Sequence, residues 1–422
     1  MKSMRSTRIE LVAVTLFFAL VGSLYLGANL FAGQIVAPTD LLFAYAGWQE
    51  VGPASVPHSI GRSDVIDGLL PQWIFFRESL TRGRIPLWNP LLAGGQPGFL
   101  WLPAGTISVG FFLFLLFGNG VGFTLALLFR LVIGGLGAYL LCRTELKLLP
   151  SVFGGVTYMM CGFNSSWLMV TAVESSMWLP WVLWAVIRLE EKPSAYRGAT
   201  LAALVSAVIF GGFPAVAGYT LYASALLALW LLAIRTVNER RVYGAIRRTI
   251  WISTGWCLGI AIAAVQIFPF IEYTQQFDIS WRYALARGLP LARAVFLLNP
   301  FQAGPPWVET TGYAGIIAIF LAGLAIVSAL SRRQDYRALS PRFWAILLAL
   351  TFAIIYKTPE SLARLLYQLP ILNNNLPSRL LLLLGLELAI LGAIGFEMLS
   401  KILRRCSMPC VLPQRKTLLI VL

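Results

Sequence analysis

Residues Val121–Leu141 read VGFTLALLFRLVIGGLGAYLL, 21 residues of which only Arg130 is charged. A helix of that length rises about 30 Å, the thickness of a bilayer's hydrocarbon core. Outward from it in both directions, further apolar runs occur at Leu11–Phe31, Leu201–Phe213, Ile316–Leu330 and Leu380–Phe396. The pattern predicts an all-α fold, a polytopic transmembrane helical bundle.

Composition points the same way. The chain has 422 residues, 58% hydrophobic and only 12% charged, whereas a soluble domain carries about 25% charged residues to hydrate its surface. A net charge of +15 would suit a nucleic-acid binder only if the cations gathered on one patch. Here they stand at the ends of apolar runs, so nucleic acid is not an expected partner. Five cysteines (Cys142, Cys161, Cys257, Cys406, Cys410) and one histidine, His58, offer little for a zinc site or a disulfide framework, and neither metal nor cofactor is expected.

Ten spans are predicted, near residues 11–31, 119–142, 150–168, 174–188, 199–213, 215–234, 249–271, 313–330, 342–356 and 379–398. With the N-terminus inside, segments 1–10, 143–149, 188–198, 235–248, 331–342 and 399–422 hold 22 Lys and Arg in 78 residues, and the opposite segments 32–118, 169–173, 272–312 and 357–379 hold 10 in 156. That asymmetry is the positive-inside rule. Parity decides Thr106–Phe117. Counted as a span, it would move Arg240/Arg241/Arg247/Arg248 and Arg332/Arg333/Arg337 outside, so a re-entrant or interfacial helix is predicted there. Lys2, Arg5 and Arg8 then flank a retained first span and not a cleaved signal. Residues 1–400 make one transmembrane module with long extracytoplasmic loops at 32–118 and 272–312. Residues 401–422 make a basic cytoplasmic segment ending in KTLLIVL, which looks like the opening of a further span, so the sequence reads as a fragment or a short form.

Long polar loops on one face point to function. The first carries Asp40, Glu50, Asp64, Asp67 and Glu78 among Arg62, Arg77, Arg82 and Arg84. A carboxylate held at the bilayer surface can take the proton of an acceptor hydroxyl; the plainer reading pairs each acid with an arginine or leaves it solvated. Glu174, between spans three and four, and Glu272, after Pro269 at the outer end of span seven, lie near membrane depth, where an acid is costly and often functional unless a helix end solvates it. Arg130 and Glu387 are mid-span and must face the interior or pair, while Glu397 closes the inner end of span ten. Trp73, Trp88, Trp101, Trp178, Trp181, Trp184, Trp281 and Trp307 read as an interfacial belt. Sugar stacking on Trp88 or Trp307 is the rival reading.

The run Asp64-x6-Pro71-x-Trp73, Gly83-x2-Pro86-Leu87-Trp88-Asn89-Pro90 and Gly94-Gly95-Gln96-Pro97 resembles the first outer loop of the YfhO family of bacterial multi-pass membrane proteins. Trp178-Leu179-Pro180, Gln266-x2-Pro269-x2-Glu272, Ser280-x-Arg282, Gly312-Tyr313-x-Gly315 and Arg379 extend the resemblance over roughly residues 36–400. The chain departs from the family at Gly212-Phe213-Pro214-Ala215, where G-H-P-Q is common, at Gln72, where tryptophan is usual, and in length, which is about half the family's.

That family looks like the C-type (GT-C) membrane glycosyltransferases. The resemblance implies an enzyme of the bacterial inner membrane that moves a sugar from a polyprenyl-phosphate carrier to an extracytoplasmic glycan, glycolipid or cell-envelope acceptor. A first-loop aspartate would be the general base: Asp64 matches the family motif, and Asp40 the position just after span one. Trp88, Asn89, Gln96, Glu174, Glu272, Arg282 and Arg379 are the expected substrate-binding residues. Arg282, Arg293 and Arg379 lie on the face where a lipid phosphate would leave, and arginine suits phosphate geometry; snorkelling to membrane-lipid headgroups is the competing role. Composition alone argues equally for a multi-pass transporter, a lipid or polysaccharide flippase, or a non-catalytic partner in a membrane assembly. Transporters favour ionisable residues at the midplane, and here the acids gather in the outer loops.

Overall fold

A computed structural model describes residues 4–27, 35–51, 60–92, 94–239, 242–278, 280–283, 287–299, 307–330 and 337–406. His58, Cys410, the Arg240/Arg241 and Arg332/Arg333 clusters and the terminal KTLLIVL lie outside them. The chain is 75% helical with almost no strand. Its elements are α1 (Met4–Leu26), α2 (Leu70–Thr81), a ribbon of β1 (Trp88–Asn89) and β2 (Gln96–Pro97), α3 (Val109–Phe117), α4 (Asn119–Cys142), α5 (Leu148–Met159), α6 (Gly162–Ser166), α7 (Thr171–Ser176) and α8 (Leu179–Glu191). There follow α9 (Ala195–Phe210), α10 (Pro214–Glu239), α11 (Val242–Gln275), α12 (Ser280–Tyr283), α13 (Ile316–Ala329), α14 (Pro341–Tyr356), α15 (Glu360–Leu366) and α16 (Leu381–Cys406).

Among the described residues five helices, α1, α4, α10, α11 and α16, are long and apolar enough to cross a bilayer, and α14 with α15, meeting at a 91° bend, make a sixth if they count as one span. The shorter apolar helices α5, α9 and α13 pack among them. The apolar window of α16 is 94% buried and that of α4 72%, against 22% for α1 and α11, so α16 and α4 are the interior posts of the bundle. Apart from Arg130 on α4 and Glu387 and the last turns of α16, both are apolar around their circumference, as enclosed helices tend to be. At Gly392 and Gly395 of α16 an added Cβ would run into the backbone of Ala318 and Leu321 on α13. The absent side chains let two helix backbones touch, the usual way helices associate without a hydrophobic driving force.

Helix α3 has nine residues and so rises about 13 Å, too little to cross about 30 Å of hydrocarbon. Gly118, with φ 85°, turns the chain after it, and Gly122 then packs on Leu113 and Phe114. Segment 109–117 therefore doubles back along α4.

The stretch expected to hold spans at 150–168 and 174–188 is less regular. It breaks after Met159, again between Ser166 and Thr171, and regains a long helix only at Leu179. Breaks at membrane depth require the freed carbonyl groups to find buried donors. Arg130 supplies two bonds, to the carbonyls of Leu168 (2.6 Å) and Val170 (3.3 Å). Asn164 Nδ2 donates to the Tyr158 carbonyl at 2.7 Å, and the Tyr158 hydroxyl to the Ser176 carbonyl at 2.8 Å.

One end of the bundle is laced by ions. Glu10 accepts from Arg143 at 2.7 Å, Glu397 accepts from the Lys147 backbone N–H at 3.0 Å and pairs with Lys401 at 3.7 Å, and Glu145 caps the backbone N–H groups of Arg337, Ala338 and Leu339. Glu190, fully buried, gathers Arg235 (2.5 Å), Arg248 (3.7 Å) and Arg337. These contacts join all six segments that the charge count had assigned to one side.

Candidate functional site

Helices α10 and α16 begin at the end of the bundle opposite that ionic lacing, since the lacing residues Arg235 and Glu397 lie in their C-terminal halves. Arg379, just before α16, lies there with its guanidinium 5.0 Å from the ring centre of Phe213 and 5.6 Å from that of Trp167. The two rings are themselves 6.2 Å apart and tilted 67° to each other, so they form an aromatic corner against the cation. Glu309 pairs with Arg379 Nη2 at 3.4 Å and accepts from Ser378 Oγ at 2.8 Å. Trp167 is held in turn by its indole N–H, which donates to the Val308 carbonyl at 3.2 Å. Arg379 Nε and the hydroxyl of Tyr219, one turn into α10, are buried without a hydrogen-bond partner among the described residues. Tyr219 lies close enough to Arg379 and Glu309 for their charges to act on it.

Arg282 on α12 lies within electrostatic range of Arg379. Burial first, and the like charge of Arg379 second, push its guanidinium below the ordinary arginine value. The turn that holds it starts at Asp278, whose Oδ1 accepts the Ser280 N–H at 2.8 Å; that bond holds the Asp278 carboxyl below the usual carboxylate range. Of the cations expected to face a phosphate, Arg379 and Arg282 are thus near enough for their charges to interact.

The first-loop acids stand apart from this pair but near one another. Asp40 is half-buried in a 3-10 turn over Thr39–Ala44, and Asp64 is exposed at the start of the wide turn Val65–Leu69 that leads into α2. The two turns touch, and the Tyr45 hydroxyl donates to Asp67 Oδ1 at 2.6 Å. Next to Asp64, Arg62 reaches Met169 Sδ at 3.7 Å, so this part of the loop abuts the same 167–170 connector that carries Trp167.

Trp88, Asn89 and Gln96 form the two-stranded ribbon, with Trp88 opposite Pro97 and Asn89 opposite Gln96. Asn89 is buried and its Oδ1 accepts the Leu91 N–H at 3.0 Å, a turn-making bond. Trp88 is exposed and its ring lies against Gly95. The amide nitrogens of Asn89 and Gln96 are buried with no partner among the described residues. Glu272 is exposed on the last turn of α11, while Gln266 of the same motif is buried and donates to Thr106 Oγ1 at 3.1 Å. Glu174 is fully buried: it accepts from Arg130 at 2.7 Å and from the Gly110 N–H at 2.8 Å. Arg130 thus pairs with Glu174, and Glu387 accepts from Thr351 at 2.8 Å.

Sequence reasoning passed over Glu309, Ser378, Tyr219 and Trp167. Glu309 had the clearest signal, an outer-loop acid three residues before Gly312-Tyr313. Phe213 had been noticed only as a departure from a motif. Among the described residues no three His, Cys, Asp or Glu side chains converge as a metal site. Fold and site together define a helical protein with several membrane-crossing helices and a partly buried cationic cluster at one end. No model of a known protein family matches the chain, and no curated protein matches it.

Proposed function

We propose that the chain is a ten-span protein of the bacterial cytoplasmic membrane, N-terminus inside, that transfers a sugar from a polyprenyl-phosphate carrier to an extracytoplasmic glycan, glycolipid or envelope acceptor. This is the GT-C-like chemistry implied by the YfhO resemblance. The observation that carries it is Arg379, packed against the neighbouring rings of Trp167 and Phe213 and within electrostatic range of Arg282, with its Nε lacking a partner among the described residues. Preorganised cations at a partly buried site stabilise charge that develops on a departing group. In the reaction the acceptor oxygen bonds to the anomeric carbon, the bond from that carbon to the phosphate oxygen breaks, and lipid phosphate leaves toward Arg379 and Arg282. The acceptor's proton passes to Asp40 or Asp64.

The test is transfer of labelled sugar from a polyprenyl-phosphate donor by protein reconstituted in vesicles. Wild type transfers, and Asp40→Asn or Asp64→Asn lowers turnover by about a hundredfold or more, the usual contribution of a general base. Full turnover in both variants removes the general-base assignment. One observation favours a second reading, transport or lipid flipping: Glu387 is buried within α16 with one carboxylate oxygen unpaired among the described residues. Lipid movement across the vesicle without sugar transfer would select it.

A further inference from the structure

Three stretches far apart in the chain, 188–198, 235–248 and 331–342, together carry twelve Lys and Arg against four Asp and Glu. The fold draws all three to one point. Glu190 has no exposed side-chain surface, and both its oxygens are engaged: Arg235 lies 2.5 Å and Arg248 3.7 Å from Oε1, and Arg337 pairs with Oε2. Arg248 Nε also donates to the Glu190 carbonyl at 3.0 Å. Three cations gathered on one carboxylate repel one another. Pairing every acid in those stretches would still leave eight cations over. The guanidinium groups are not sealed in, since 16%, 15% and 35% of the Arg235, Arg248 and Arg337 side chains is exposed. Their forked N–H groups outnumber what two carboxylate oxygens accept, so the open edges suit a further oxyanion.

Depth decides which oxyanion. Arg235 stands 21 residues after Pro214, where α10 begins, a rise of about 31 Å that matches the hydrocarbon thickness of a bilayer. A crossing α10 therefore sets the three guanidinium groups at headgroup level. Tyr196, beside Arg197 on the first turn of α9, and Tyr243, on the first turn of α11, are exposed at this same end. Exposed tyrosines with an apolar body and a polar tip belong at a membrane interface. We propose that Arg235, Arg248 and Arg337 form a binding site for the headgroup of an anionic phospholipid, whose phosphodiester oxygens rest on their open edges. Glu190 holds the three forks in place, and the lipid supplies the negative charge that one carboxylate lacks. The site lies at the end away from Arg379 and does not depend on sugar transfer.

The experiment titrates purified full-length protein in a neutral detergent with phosphatidylglycerol, phosphatidylcholine and glycerol 3-phosphate as separate probes, and counts bound molecules by native mass spectrometry. Wild type binds phosphatidylglycerol at least tenfold more tightly than phosphatidylcholine, and added salt weakens that binding. Arg337→Gln, the most exposed of the three positions, weakens it about tenfold, as expected for lost bonds to a charged group. Arg247→Gln is the control: Arg247 is exposed next to Arg248 in the chain, carries the same charge, and should leave the affinity nearly unchanged. Phosphatidylglycerol also raises the unfolding temperature of wild type, and that rise disappears in Arg337→Gln, whose own unfolding temperature without lipid separates lost affinity from lost fold. Equal affinity for the two lipids overturns the site. Equal losses in Arg337→Gln and Arg247→Gln replace it with diffuse attraction to a charged surface. Glycerol 3-phosphate binding as tightly as the lipid overturns the assignment to a membrane headgroup. None of these outcomes involves sugar transfer, so the site and the enzymatic reading stand or fall separately.

Discussion

Arg130 and Glu174 are 44 positions apart in sequence and 2.7 Å apart in the fold, both with no exposed side-chain surface. Neither could survive alone in hydrocarbon. Their bonds extend to the Gly110 N–H, the Leu168 carbonyl and the Val170 carbonyl, so the pair ties α3, α4 and the broken connector into one knot. Glu174→Gln leaves Arg130 buried and uncompensated and is expected to cost about 3–5 kcal/mol, read as a lowered unfolding temperature in detergent. At Glu387 the outcome differs: glutamine keeps an acceptor for the Thr351 hydroxyl, so Glu387→Gln holds the wild-type unfolding temperature while Glu387→Lys lowers it. The sequence made Arg130 and Glu387 legible as residues needing the interior. It could not name their partners, because a pairing between distant helices leaves no local periodicity.

At the scale of elements, hydropathy located each of the five long apolar helices, though its bounds fall seven or eight residues short at one end of α1, α11 and α16, and it marked α3 as too short to cross. It read 150–168 and 174–188 as continuous because hydropathy measures how readily a segment leaves water, not whether its backbone bonds run unbroken. The donors that make the breaks tolerable, Arg130 and Asn164, look in sequence like isolated polar residues. The ribbon Trp88–Asn89 with Gln96–Pro97 was legible as a motif, while its turn-making role for Asn89 was not. Helix α12 is governed by a different residue, Asp278. Its carboxyl value is lowered in the fold, so its contribution is present above the unfolded aspartate value and is lost as pH falls through the folded one. Asp278→Ala should therefore speed amide hydrogen exchange over 280–283 at neutral pH, and wild type should match it only in acid. Equal exchange at neutral pH would show that α12, and with it Arg282, is placed by other contacts.

The whole molecule separates its charges by end. Glu190 with Arg235, Arg248 and Arg337 closes one end, and Arg379 with Glu309 and Arg282 marks the other. Glu190→Gln strands three arginines around a buried site and should lower the unfolding temperature clearly more than Glu191→Gln, since Glu191 is itself exposed with a half-exposed partner, Arg188, and that pair is worth at most about 1 kcal/mol. Equal shifts would contradict a stabilising hub. The charge count foresaw which segments gather together, because positive-inside bias is a property of whole loops and survives errors in any one helix boundary. The Arg379 cluster was only partly visible, since four of its members come from stretches that carry no shared motif.

Every functional statement above depends on these two ends facing opposite sides of a membrane. The direct measurement labels single cysteines, placed at exposed Glu78 and at half-exposed Arg188 in a background free of native cysteines, with an impermeant maleimide on intact cells. Glu78→Cys should label from outside, and Arg188→Cys only after the membrane is permeabilised. Labelling of Arg188→Cys on intact cells, or protection of Glu78→Cys, would contradict the account.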